Sequence, residues 1–210
     1  MNEKFVINIG REFGSGGLKI AEKLSKKLGI NFYDKRLIEI AAQKSGLCKE
    51  YFENPENKSQ IGSLGDLLGG TSNVFVAGYC CESSILNESL FKIQSDIIRQ
   101  LARKESCIFV GRCADYVLRE HPRAINVFVC ADAEFRIKKV AQEKQETDFE
   151  KIKKEIEKAD KNRSKYYTLY TNKPWGAAQS YHLCINSAIL GLDETASVIQ
   201  FFTERKLKLG

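Results

Sequence analysis

Histidine is almost missing from this chain: His121 and His182 are its two copies in 210 residues. No C-x-x-C occurs either, so none of the usual zinc-ligand spacings can form. No apolar run approaches the length of a membrane span, and the start lacks the basic-then-apolar layout of a secretory signal. Cysteines number seven, an odd count that a closed disulfide framework would not leave. Five of them, Cys80, Cys81, Cys107, Cys130 and Cys184, stand among apolar or small residues and read as reduced thiols packed as small hydrophobes. The sequence points to a cytoplasmic protein with no membrane association. Neither histidine has an evident partner, and neither receives a role.

What remains is a chain long enough for one full core. It is 43% hydrophobic and 29% charged, the balance of a globular protein. Lysine and arginine total 33 against 27 acidic residues, a net charge of +6. Eleven basic and seven acidic residues lie between Arg136 and Lys165, so four units of the excess sit in one helical segment. Such a surface suits a polyphosphate ligand. It is too dilute for a nucleic-acid footprint, so no nucleic-acid partner is expected.

The organising stretch is Ile7-Asn8-Ile9-Gly10-Arg11-Glu12-Phe13-Gly14-Ser15-Gly16-Gly17-Leu18-Lys19. Phe5 to Ile9 is short, apolar and rich in β-branched residues, a buried strand. Beyond the glycines, Ile20, Ala21, Leu24 and Leu28 recur at helical spacing with Glu22, Lys23, Lys26 and Lys27 between them. Strand, glycine loop and helix make a phosphate cradle, because the glycines let backbone wrap an anion and the helix start aims free N–H groups at it. The plainer alternative is a tight turn with Ser15 capping the helix. The loop also departs from G-x-x-x-x-G-K-[ST]. With Gly16 as the last glycine, Gly17 stands in the lysine's place and Leu18 in that of the magnesium-holding hydroxyl. Arg11 and Lys19 are the nearby cations.

Further strands read over 30–33, 107–110, 125–130 and 181–185, with Gly29 capping the first helix. Helices read from Leu37 to near Gly46, from Leu90 to Ala102, and over 134–170 with a break around Thr147 and Asp148. A last one runs from an Asp193 N-cap to Lys206. The polar, glycine-rich residues 54–73 read as a loop or short helices. Apolar strands alternating with helices predict an α/β fold, a parallel sheet covered on both faces.

In such a sheet ligands collect at the carboxyl ends of the strands. The residues found there are the glycine loop, Asp34-Lys35-Arg36, Gly111-Arg112 with Asp115, and Ala131-Asp132. Taken singly, Arg36 reads equally as a solvated helix-start charge, and Asp34 or Asp132 as an N-cap. Arg112 is more telling, since an arginine just after a buried strand and a glycine meets an anion or a buried carboxylate. Trp175, with Tyr166, Tyr167, Tyr170 and Tyr181, reads as packing around the return to the last strand.

Four stretches together carry a resemblance: the glycine loop, Phe32-Tyr33-Asp34-Lys35, Val110-Gly111-Arg112-Cys113-Ala114-Asp115-Tyr116, and Asp160-Lys161-Asn162-Arg163-Ser164-Lys165-Tyr166-Tyr167. Over nearly its whole length the chain resembles the nucleoside monophosphate kinases of the P-loop fold, most closely the cytidylate kinase-like proteins. The resemblance implies a three-layer P-loop fold with a five-stranded parallel sheet, helices on both faces and a helical lid. It would form one domain over 1–210, with an acceptor-binding insert about 34–90 and a lid about 134–172. It also implies ATP, Mg²⁺ and nucleotide substrates. Arg112 matches the arginine that holds the acceptor's phosphate, but Cys113 replaces the aspartate that reads cytosine. Asp160 and Arg163 match the lid's Asp-x-x-Arg, which contacts the acceptor's ribose and phosphate. A further lid arginine is Ile156 here, and an acceptor-phosphate arginine falls near Ile40.

The function this implies is phosphoryl transfer from ATP to a nucleoside monophosphate or similar acceptor. Gly14, Ser15, Gly16, Gly17, Leu18 and Arg11 would hold the donor. Asp34, Arg36, Arg112, Asp115, Asp160 and Arg163 would hold the acceptor. Arg112, Arg163, Arg136 and one of Lys19 or Arg11 would supply catalytic charge. No metal ligand is assigned. The alternatives are a nucleotide-binding protein that keeps the cradle without turnover and, more remotely, a nucleic-acid binder using the lid face.

Overall fold

A computed structural model of the protein describes residues 3–44 and 84–208. The glycine-rich stretch 54–73, the expected helix end at Gly46, and Cys80 and Cys81 lie outside the described residues. Five strands form one sheet in the order β2-β3-β1-β4-β5: β1 (Val6–Arg11), β2 (Asn31–Tyr33), β3 (Cys107–Val110), β4 (Ala124–Cys130) and β5 (Leu183–Asn186). Every neighbouring pair is parallel. Seven α-helices are described: α1 (Gly17–Leu28), α2 (Lys35–Lys44), α3 (Ser84–Lys104), α4 (Ala114–Val117), α5 (Ala133–Lys144), α6 (Phe149–Thr171) and α7 (Ser187–Leu207).

Strand alternation builds the core. Ile7, Ile9, Ile108, Val110, Ile125, Val127 and Val129 point to one face, where Ile20 and Leu24 of α1 and Ile199 of α7 cover them. The opposite face carries Phe109, which stacks on Tyr33, and Phe128, which meets Trp175 edge-on at 5.4 Å and Tyr181 at 5.0 Å. The aromatic group around the last strand is therefore packing. One polar pair crosses the sheet: Asn8 Nδ2 donates to Asn126 Oδ1 of its register neighbour at 2.8 Å.

The chain divides into two compact units, Met1–Asp34 with Leu101–Gly210, and Lys35–Gln100. The sheet and the glycine loop lie in the first. Within the second, Ile38, Ile93, Ile97 and Ile98 are buried and Arg99 pairs with Asp96 at 3.0 Å. Among the described residues, no helix is long and apolar enough to cross a membrane.

Gly29 caps α1 in the left-handed region, at φ +65°. The expected break near Thr147 separates α5 from α6, with left-handed Gln145 closing one and the Asp148 carboxylate accepting from Lys151 N to open the other. The last helix differs. It is capped by Asn186, whose side chain accepts from Ala188 N, and bends at Gly191, where φ is +72°; Asp193 instead meets Lys23 at 2.7 Å. The Asn186 cap after β5 starts the helix first, and the glycine permits the bend.

Ile108 is fully buried in the core cluster, whereas Leu169 is 68% exposed. Ile108→Ala should lower unfolding free energy by about 2–5 kcal/mol, and Leu169→Ala should stay within about 0.5 kcal/mol; urea denaturation of both variants checks this.

Candidate functional site

At the carboxyl end of β1 the backbone turns through Gly14 (φ +82°) and Gly16 (φ +79°) into α1. Ser15 does not cap the helix: its hydroxyl is buried and donates to Glu12 O at 2.9 Å, and the N-cap is Gly16. The N–H groups of Gly14, Gly16, Gly17 and Leu18 have no hydrogen-bond partner among the described residues. They form a concave array of donors at a helix start, which suits a polyphosphate. The glycines are also needed for space. A Cβ on Gly17 would lie 2.6 Å from Arg11 Cβ, and one on Gly16 would lie 2.5 Å from Leu192 Cδ2.

Register brings the rim residues together. Ile9 pairs with Val110, and Gly111 N donates to Ile9 O at 3.0 Å, so Arg11 runs alongside Gly111 and Arg112. The Arg11 guanidinium lies so close to Gly111 that a Cβ there would fall 1.9 Å from its Nη1. Burial, with Arg163 and Arg112 nearby, pulls the Arg11 pKa down to about 9, while Asp34 and Asp160 offset part of that repulsion. Arg163 donates to Arg11 O at 3.0 Å and faces the Phe13 ring at 5.3 Å. Its own pKa is lowered by burial. Gly111, Arg112 and Cys113 take three successive left-handed conformations, at φ +75°, +60° and +55°. Two of them are not glycine, a local strain of the kind found at functional sites. That turn sets Arg112 against the Tyr166 ring at 4.5 Å.

Asp160 and Arg136 both meet the glycine loop itself. Asp160 Oδ1 accepts from Phe13 N at 2.7 Å, and its Oδ2 pairs with Arg136 at 2.5 Å. Arg136 also donates to Phe13 O and approaches Glu12. Glu12 in turn accepts from Ala131 N at 3.0 Å. Together they brace the loop against α5 and α6, and Phe13 packs into the hairpin's own core of Val140, Ala141, Ile152 and Ile156. Ile156 is thus a core residue where the resemblance would put an arginine.

The remaining expected residues scatter. Lys19 turns to the surface and pairs with Glu143 at 2.6 Å. Arg36 is exposed in the second unit. Asp115 is half-buried, takes a hydrogen bond from Tyr167 at 2.7 Å and lines a separate cavity; desolvation raises its pKa. The Cys113 thiol is buried, which pushes its pKa up to about 12. Both histidines have partners: His121 Nδ1 accepts from Arg123 N, and His182 Nδ1 from Asn126 N. Sequence reasoning missed Glu12, Lys139, which lies beside Gly16 and pairs with Glu143, and Ser187, which donates to Ser15 O at 2.6 Å. The charged Glu12 inside the loop was the one available signal.

Among the described residues no three His, Cys, Asp or Glu side chains group as metal ligands. Leu18 brings no hydroxyl to the position where the P-loop pattern has one.

A sequence model described as the cytidylate kinase-like family matches residues 6–189. An uncharacterized protein from Eubacterium ventriosum has a similar structure, with a TM-score of 0.73 and 26% identity over 97% of this chain and 99% of that one. Shikimate kinase from Acinetobacter baumannii, solved in complex with shikimate, gives 0.50 at 13% identity, covering 98% and 96%. The shikimate kinase of Bacteroides thetaiotaomicron gives 0.50 at 11%, covering 95% and 98%. At those identities the last two show the shared P-loop kinase fold. No curated protein matches the chain significantly.

Asp160→Ala strands a mostly buried Arg136 and should cost about 3–5 kcal/mol. Arg11→Met removes a cation repelled by two others and should leave stability unchanged or raised. Thermal and urea unfolding of the two variants should move in these opposite senses.

Proposed function

The chain belongs to the cytidylate kinase-like family, and from that premise we propose that it transfers a phosphoryl group from ATP to a nucleoside monophosphate or similar acceptor. One observation carries the reading: Arg11, Arg112 and Arg163 converge beside a loop in which the amides of Gly14, Gly16, Gly17 and Leu18 have no partner among the described residues. Phosphoryl transfer passes through a state with negative charge spread over the phosphoryl oxygens, so positioned cations and N–H donors are the protein's main contribution.

In this reading the amides of Gly14 to Leu18 hold the donor phosphates. Arg112 and Arg163 hold the acceptor's phosphate, with Asp34 at the same rim. Arg11 takes over the charge of the missing lysine, because it is buried between the other two arginines, whereas Lys19 is engaged at the surface. Asp160, Arg136 and Glu12 are positioning residues that hold the loop's shape. Mg²⁺ is proposed only as the companion of ATP; no step is assigned to it.

A second reading is nucleotide binding without transfer, in which the Asp160–Phe13 brace holds the loop and the hairpin as a fixed cradle.

A steady-state assay of ATP against the common nucleoside monophosphates, with calorimetry of ATP binding, separates the readings. Transfer should occur, and Arg112→Ala or Arg163→Ala should lower kcat/KM by about 10²–10³-fold. Arg11→Met should weaken ATP binding about tenfold or more, while Lys19→Met should change little. ATP binding with no transfer to any acceptor would select the second reading. Failure of ATP to bind would remove both.

A further inference from the structure

A cavity of about 430 Å³ lies away from the glycine loop, lined by His121, His182, Lys173, Lys206, Asp115 and Glu120 among others. Its volume falls in the range of small-molecule sites. The hydrogen bonding of its walls is unbalanced. His182 Nδ1 accepts from Asn126 N at 2.9 Å, so its lone pair is used there. A neutral imidazole has only one such lone pair, so Nε2 carries the proton and is a donor. Lys206 Nζ, which also donates to Ala124 O, lies 3.4 Å from that Nε2. Two donors therefore face each other with no acceptor between them.

His121 repeats the pattern. Its Nδ1 accepts from Arg123 N at 3.3 Å, which leaves Nε2–H as its donor. Burial holds both imidazoles below their usual pKa, with Arg123 adding to this at His121 and Lys206 at His182. Lys173 is exposed at the same wall and interacts electrostatically with Asp115. Donors on several sides fit a tetrahedral oxyanion better than a flat carboxylate, because it offers three terminal oxygens. The carboxylates of Asp115 and Glu120 can accept from hydroxyl groups on the rest of a ligand.

We propose that this cavity is a second binding site, one that takes a small hydroxylated phosphomonoester with its phosphate seated between Lys206 and His182. The site is independent of the glycine loop and of the transfer reaction proposed for it.

Calorimetric titration of the full chain with glycerol 3-phosphate tests this, with and without ATP present. Lys206→Met, Lys173→Met and Arg112→Ala serve as variants, and their thermal melts report folding. The phosphomonoester should bind whether or not ATP is present. Its Kd should rise about tenfold or more in Lys206→Met, the loss of one charge-assisted hydrogen bond, and should be unchanged in Arg112→Ala. Inorganic phosphate should bind more weakly, with the same dependence on Lys206. If Lys206→Met fails to fold, the exposed Lys173→Met decides, and a weaker Kd there supports the site. No binding at millimolar ligand overturns the proposal. So does binding that ATP or Arg112→Ala abolishes while the lysine variants leave it intact, because the ligand would then occupy the loop.

Discussion

The carboxylate of Asp160 is the contact on which the arrangement of the site depends. One oxygen takes the N–H of Phe13 and the other takes Arg136, so a single residue of α6 fixes the loop's backbone and the cation beside it. Both partners are mostly buried, and a charge-assisted bond in such a setting is stronger than one in water. Phe13 adds an apolar anchor by entering the core between α5 and α6. The loop's outer part is therefore held by the hairpin from above, and the strand register holds its base from below.

Much of the fold was legible because its signals are local. Buried strands announce themselves as short β-branched runs, Gly29 as a left-handed cap, and Thr147-Asp148 as the break between two helices. The shift at the last helix came from competition between two capping residues, Asn186 and Asp193, which a one-dimensional pattern does not rank. The site was less legible, because side-chain direction depends on register and packing. Arg11 and Lys19 are eight residues apart, and both are cationic side chains. One follows the strand edge toward Gly111, while the other falls on the outer face of α1 and meets Glu143. For Asp160 the resemblance implies a substrate contact, and the fold adds a contact within the chain. Nothing in sequence told that a backbone N–H 147 residues away would take one of its oxygens.

Electrostatics gives the rim its character. Burial, with Arg163 and Arg112 close by, lowers the proton affinity of Arg11. The consecutive left-handed residues at Arg112 and Cys113 add backbone strain at the same point. Strain and repulsion thus gather beside the amides of Gly14, Gly16, Gly17 and Leu18, a concentration typical of functional sites.

The bend at Gly191 reaches further than the helix that contains it. It carries Leu192 onto Gly16, while Ser187, one turn earlier, holds the carbonyl of Ser15. The cradle floor and α7 are thus joined at two points, so replacing Gly191 with a residue that straightens the helix would reshape the wall beside Gly16.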